Sequence, residues 1–203
     1  MNLSNLYYKL SYIVYKKKIK DLGIGVELRF GSIIYHGEKI HIGNDCKIGK
    51  GFVCSVYLEY AGQKTPAEGG GGIFIDTCVS AERNLTIYCA NKVKIGKGTM
   101  IGSTVLITDN NHGINAGDTQ KNYREQTLTT KAVTIGENCW IAEQSCILAG
   151  ASIGNRCIVA ANAVVTSGTY PDNCILAGNP ARIIKIWDKV QNKWKKYVES
   201  EDV

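Results

Sequence analysis

The chain contains three histidines, His36, His41 and His112, and the last stands where chemistry is easily arranged. It stands in ITDNNHG, immediately before GINAGDTQKNYREQTL, a stretch that shares no pattern with its surroundings. Near neutral pH an imidazole is the commonest general base, taking a proton from a nucleophile within hydrogen-bond reach. Position alone leaves two readings of His112 open, that base or an idle surface histidine. Asp109 and Asn111 beside it either orient the ring and meet a ligand, or cap the turn. Trp140, in NCWI, falls on an outward place of the repeat described next, where a tryptophan meets a ligand or another subunit.

These residues must be positioned by an element with an unusual period. From Val133 to Val165, aliphatic residues return every sixth place at Ile135, Ile141, Ile147, Ile153, Val159 and Val165. Four places after each of the first five stands a small residue: Cys139, Ser145, Ala151, Cys157, Ala163. Six fits neither the helical 3.6 nor the strand's two, and it predicts a flat-sided solenoid with one hexad per side. The short side chains share the narrow lumen with the aliphatic row. An earlier frame starts at Ile24 and continues through Phe30, His36, Ile42 and Ile48, with Leu28, Ile34, Ile40, Cys46 and Phe52 in the fifth place. The frame resumes at Ile75, Ala81 and Ile87, slips by two at Cys89 and Ala90, and runs on through Ile95, Ile101 and Ile107. Two stretches leave it, 54–74 and 113–128, and long loops in repeat proteins are often functional. The GGGG run at Gly69 to Gly72 is read as a hinge, since no phosphate-binding pattern surrounds it.

The whole chain is 203 residues and 44% apolar, enough for one repeat domain with a real core. Residues 1–22 read as an amphipathic helix, with Leu3, Leu6, Tyr7, Leu10, Ile13 and Val14 on the face that caps the open coil. Capping is preferred over contact with a membrane surface. Residues 23–180 form the solenoid, and 181–203 a terminal helix with Ile183, Ile186, Trp187, Val190, Trp194 and Val198 on one face. The eight cysteines include no CxxC pair and read as reduced core residues. Much of the net charge of +6 lies in lysines near both ends, read as solvated helix faces. No apolar run approaches the roughly 20 residues of a membrane span, and the N-terminus lacks a signal-peptide cleavage pattern, so a cytoplasmic protein is expected. A three-histidine zinc site does not fit. His36 and His41, five apart, face different directions, and His112 lies about four coils away, on the order of 19 Å at ~4.8 Å per strand. No metal and no nucleic-acid partner are expected.

ITDNNHG, then VTIGENCWIAEQSCILAG, then VVTSGTYPDNCILAGNPARII is similar to the arrangement in the hexapeptide-repeat acetyltransferases, in particular the galactoside, maltose and polysaccharide O-acetyltransferases. The resemblance covers roughly 75 to 187. It implies an all-β fold, a left-handed parallel β-helix, and a homotrimer using acetyl-CoA as donor. It makes His112 the general base that deprotonates the acceptor hydroxyl. Trp140, Glu82 and Asn84 match acceptor-side positions of the family. Ala142, Ala160, Ala161 and Thr166 match the groove of the pantetheine arm, and Arg182 and Lys185 the cations that meet the nucleotide phosphates. Asn110 replaces a second histidine of the commoner motif, and Ser167 stands where a lysine often follows the threonine. The expected activity is acetyl transfer to a hydroxyl of a saccharide, with a surface-polysaccharide unit in view. Transfer to the amine of an amino sugar or of another small amine is the alternative, and a structural β-solenoid the non-enzymatic one.

Overall fold

The computed structural model describes residues 3–117 and 120–198. Short parallel strands stack into three sheets that are the flat faces of a prism. The first face runs through Asp21–Leu22, Ile40–Ile42, Gly72–Ile75, Lys92–Ile95, Val133–Ile135, Ala151–Ile153 and Gly168–Tyr170. The second contains Glu27–Leu28, Lys47–Ile48, Ser80–Ala81, Met100–Ile101, Trp140–Ile141, Ile158–Val159 and Cys174–Gly178. The third is built from Ile33–Tyr35, Val53–Val56, Thr86–Cys89, Leu106–Thr108, Cys146–Ile147 and Val164–Val165. The period of six gives each face one inward aliphatic residue and one inward small or aliphatic residue. The row from Ile135 to Val165 and the row from Cys139 to Ala163 are both buried. All eight cysteines are free thiols, and burial raises the Cys46 thiol pKa to about 11.

The stacking register shows where the chain departs from six. Ile135 pairs with Ile153 and Ile141 with Val159, three hexads apart. Ile75 pairs with Ile95, Ile95 with Ile135, and Ile42 with Ile75, and in each the surplus residues leave between the third face and the first. Inserting a loop at a corner leaves the ladders above and below intact, whereas an insertion within a face would break them. The first excursion is accordingly shorter than expected and the second longer, running over 109–132 because Asn110–Asn111 and Thr129–Thr130 pair with each other outside the faces. Val53–Val56 and Gly72–Ile75 are ordinary rungs, and 57–71 is thrown out, carrying the hairpin of Glu59–Tyr60 with Gln63–Lys64. His41 and His112 are two coils apart rather than four, because these loops consume length without adding coils.

Three further expectations are corrected. The early frame is shifted: Ile24 is 78% exposed and Phe30 and His36 also face outward, while Leu22, Leu28 and Ile42 form the inner row. A 3-10 turn at Gly37–Lys39 inserts two residues, and the glycines spaced by six cross that slip. Gly25 and Gly31 take positive φ at corners, whereas Gly43 sits where a Cβ would meet Thr77 N at 2.6 Å. Second, the helix Leu3–Lys16 does cover the first coil, but with the other face. Ser11 and Tyr15 are buried, whereas Leu6, Leu10, Ile13 and Val14 are exposed. The first coil has no rung below it, so its peptide groups need partners. Hydroxyls supply them: Ser11 Oγ donates to Leu28 O (2.6 Å), Ser32 N donates to Tyr15 Oη (3.0 Å) and Phe30 N to Tyr7 Oη (2.9 Å).

Third, the segment expected as a C-terminal helix is an antiparallel hairpin of Ala181–Asp188 and Lys193–Lys196 that extends the second face. The open edge at Cys174–Gly178 offers ladder partners that a helix cannot use, and this outweighs the helical spacing. Trp187 and Trp194 pair across it with ring centres 5.3 Å apart. Val190 N and Gln191 N donate to Asp188 Oδ1 in the turn. The expected helix residues beyond 198 lie outside the described residues, as do Met1 and Asn2.

Candidate active site

Asp109 leaves the third face after Leu106–Thr108 and is fully buried. Its carboxylate accepts Ala90 N at 2.7 Å, Asn91 N at 2.8 Å, the Cys89 thiol at 3.2 Å and Asn110 Nδ2 at 3.0 Å. Burial, and next the carboxylate itself, push the Cys89 thiol up, which keeps it a neutral donor. Asp109 therefore staples two successive corners together and is not available to a ligand, which corrects its assignment as a substrate contact. From that staple Asn110–Asn111 pairs antiparallel with Thr129–Thr130, closing the neck of the loop. Inside the loop Gln126, largely buried, accepts Asn115 N and donates to Asn115 O, both at 3.0 Å.

His112 emerges from this neck exposed to solvent. Its Nδ1 lies 3.0 Å from the Tyr60 hydroxyl, fifty-two residues away in sequence. Tyr60 reaches it because the excursion 57–71 leaves from the same edge, on the coil next but one. With Nδ1 protonated and donating to the Tyr60 oxygen, Nε2 keeps a free lone pair, the arrangement a general base needs. The ring opens on a cavity of about 410 Å³ lined by Tyr57, Tyr60, Tyr88, Asn110, Asn111 and Leu128, among others. A second cavity, about 630 Å³, shares Tyr57 and Tyr88 and runs on to Tyr35, His36 and Glu59. Tyr35, Ser55, Tyr88 and Thr108 are successive rungs of one outward column, so this trough spans three steps of ~4.8 Å. Burial, reinforced by Tyr88 and Tyr60, raises the Tyr57 hydroxyl above its ordinary range, leaving it a donor.

The expected site residues fall into two sets. Asn111 shares the cavity of His112, and Thr166 belongs to the same edge farther along the prism. The others lie elsewhere on the chain. Trp140, 45% exposed, projects from the second face between Met100 and Ile158. Glu82 and Asn84 sit at the corner between the second and third faces, where Asn84 holds φ 60 and stacks its amide over Gly51. Ala142 and Ala160 occupy that corner two and three coils on, with Ala161 following, and the N–H groups of Ala142 and Ala160 donate to Val159 O and Leu176 O within the ladder. Ala142 is buried and Ala161 exposed. Arg182 and Lys185 are exposed on the C-terminal hairpin, where Arg182 Nη1 donates to Ala181 O. Within one chain, then, the structure does not bring this second set to His112.

Sequence reasoning missed Tyr57, Tyr60 and Tyr88, and it missed Lys131, whose Nζ donates to Ser167 Oγ at 2.9 Å. Lys131 thus puts an ammonium at the place where Ser167 replaces a lysine. The one available signal, for Tyr57 and Tyr60, was their density in SVYLEY. Among the described residues no group of three or more His, Cys, Asp or Glu could hold a metal ion. Nor is any helix among them long and apolar enough to cross a membrane.

The family model described as bacterial transferase hexapeptide (six repeats) matches residues 132–167. Over 165 residues the chain is 36% identical to an Escherichia coli K12 protein named, provisionally, the lipopolysaccharide biosynthesis O-acetyl transferase WbbJ, covering 77% of this chain and 80% of that one. It is 31% identical over 116 residues to the galactoside O-acetyltransferase of the same strain, covering 57% of this chain and 55% of that one. The chain belongs to the hexapeptide-repeat acetyltransferase family, whose left-handed parallel β-helix is the fold described above. It is an acyltransferase. Among solved structures, a single-substitution mutant of the Bacillus cereus N-acyltransferase AntD superposes with a TM-score of 0.71 at 17% identity, covering 89% and 91% of the two chains. That structure contains dTDP-4-amino-4,6-dideoxyglucose and coenzyme A. A maltose O-acetyltransferase from Clostridium difficile gives 0.59 at 22% identity, covering 90% and 77%. At these identities the two structures speak to the fold alone.

Proposed function

We propose that this enzyme transfers an acetyl group from acetyl-CoA to a hydroxyl of a saccharide, with His112 as general base, and that it works as a homotrimer. The observation that carries the reading is an exposed imidazole fixed through Nδ1 by Tyr60 at the mouth of a tyrosine-lined trough. Tyrosine rings stack on the apolar faces of sugar rings, while Asn110, Asn111 and Thr108 offer polar groups for hydroxyls. His112 Nε2 takes the hydroxyl proton as the acceptor oxygen bonds to the thioester carbon. The carbon–sulfur bond then breaks, and the imidazolium returns the proton to the leaving thiolate.

The donor side is read on the C-terminal coils, where Ala160, Ala161 and Thr166 are small enough to admit an extended ligand and Lys131, Arg182 and Lys185 supply cations for the phosphates. Ala142 and Trp140 border that region on the second face. A second and third copy would bring the second face of one chain against the edge bearing His112 of the next, which would unite the two separated sets of residues. The outward column of Met100, Trp140 and Ile158 is apolar enough for such a contact. Eight free thiols suit a cytoplasmic site of action. An amine acceptor such as an amino sugar is the second reading, since the same base and trough would serve an amine as well as a hydroxyl.

The test measures free thiol released from acetyl-CoA with a panel of sugars, nucleotide sugars and amines. His112→Ala is expected to lower kcat at least about a hundredfold while leaving the KM for acetyl-CoA within about threefold. Full activity in that variant removes His112 from the mechanism, and turnover with amines alone moves the acceptor to the second reading.

A further inference from the structure

We propose that the outward face of the N-terminal helix holds this enzyme against the surface of an anionic lipid bilayer. The helix Leu3–Lys16 presents its polar and aromatic side to the prism, through Ser11 and Tyr15, and turns its aliphatic side to solvent. Leu6, Leu10, Ile13 and Val14 are 39, 49, 56 and 40% exposed. At ~100° per residue they occupy one continuous stripe about 100° wide, and Lys9 and Lys16 fall along one margin of it. Lys17, Lys18 and Lys20 follow, all exposed. Ile24 adds to the stripe across an open apolar hollow of about 480 Å³ that it shares with Tyr8, Tyr12 and Ile13.

This inverts the usual logic of a surface helix, whose apolar stripe faces the core. The inversion has a local cause, since the first coil requires hydroxyls for its unpaired peptide groups, but its result is an aliphatic stripe with nothing on it. The charge around the stripe selects its occupant. The helix has no acidic residue in its first turn, and none of Lys9, Lys16, Lys17, Lys18 and Lys20 forms an ion pair among the described residues. The nearby carboxylates Asp21 and Glu27 are engaged by His41 and Lys47. Lys16 Nζ donates to Leu22 O, and a second copy docking stripe to stripe would still set the remaining four ammonium groups against four. A bilayer carrying anionic headgroups accepts both components, aliphatic side chains into the acyl boundary and ammonium groups among the phosphates. The rings of Tyr8 and Tyr12 in that hollow suit the headgroup level. A helix of fourteen residues lies on such a surface and does not span it. Because it covers the end of the prism, a docked molecule stands on that end with the His112 edge still open.

The full chain is sedimented with vesicles of phosphatidylcholine alone and of three parts phosphatidylcholine to one part phosphatidylglycerol. At low salt the expected result is binding to the anionic vesicles at least about tenfold tighter than to the neutral ones, falling as salt is raised. Leu10→Asp with Ile13→Asp, and separately Lys17→Glu with Lys18→Glu, should each reduce that binding at least about tenfold with circular dichroism and thiol-release activity in solution unchanged. Absent binding, equal binding to both vesicle types, or binding unaltered by both variants overturns the proposal. So does a shift of oligomeric state on size exclusion with Leu10→Asp and Ile13→Asp, which would assign the stripe to a second copy. None of these readouts depends on the identity of the acceptor, so the outcome is separable from that of the His112 test.

Discussion

Replacing Asp109 by alanine separates a scaffolding carboxylate from a ligand-binding one. The side chain is fully buried and accepts two backbone N–H groups at 2.7 and 2.8 Å. Hydrogen bonds to a charged acceptor contribute about 1.5–3 kcal/mol each, and the Ala90 and Asn91 donors would be left inside without partners. Allowing for partial filling of the gap by water, the loss should be about 3–5 kcal/mol out of a total stability of order 5–15 kcal/mol. For a chain of this length that lowers Tm by roughly 6–20 °C, read by thermal melting followed by circular dichroism. Asp109→Asn keeps one acceptor and turns the other atom into a donor facing an N–H, so it should recover half of that loss at most. Activity should fall with stability in both variants, because Asn110–Asn111 and the His112 ring hang from this corner, and a displacement of about 1 Å costs on the order of a hundredfold. A variant that melts like the wild type refutes the staple. One that melts like the wild type and has lost activity returns Asp109 to the ligand, as its sequence neighbourhood suggests.

Tyr60→Phe keeps the ring and removes a hydroxyl contact worth about 0.5–1.5 kcal/mol, so kcat should drop roughly 2- to 13-fold with Tm and the KM for acetyl-CoA unchanged; an unaltered kcat would mean that the contact does not position His112. Asp172 accepts Asn155 N, and this bond, with the Asn155 side chain next, holds its carboxyl below the usual carboxylate range. A depressed folded pKa gives stability that is complete above the unfolded value near ~3.9 and lost as pH falls through the folded one. The Tm advantage of wild type over Asp172→Asn should therefore be present at neutral pH and close progressively below about pH 4; a gap that is independent of pH in that range contradicts the assignment.

How much of this was legible in the sequence depends on whether a segment's structure follows from its own period. Ile135 to Val165 and Cys139 to Ala163 could be assigned to the lumen from spacing alone, because each side chain meets a copy of its own situation in the coil above. The same counting failed from Ile24 to His36, where glycines serving different purposes kept a false period of six across a two-residue insertion. At both ends the apolar residues were noticed and their orientation or secondary structure was misjudged. There the decisive partners were the unpaired peptide groups of the first coil and of Cys174–Gly178, which no local pattern in the helix or the hairpin records. His112 was legible because a regular rung, Leu106–Thr108, ends shortly before it and the period breaks there. Tyr60 was not, since its loop had no period and its partner lay in a different break.

The meeting of those two breaks follows from the architecture. Each flat face is hydrogen-bonded on both sides, so added length can leave only at a corner, and here it leaves repeatedly at the corner between the third and first faces. Loops separated by many residues are thereby stacked within a few rungs of one another, and any two of sufficient reach must touch. The 57–71 hairpin and the loop after His112 do so through Tyr60. An edge of this kind lets the loops vary while the rungs that set their spacing stay fixed. It also explains why the rest of the expected site lies on other parts of the same chain. The corner carrying His112 cannot face its own second face across a filled prism, so the proposed groove, if it uses both, would need the neighbour's second face in place of its own.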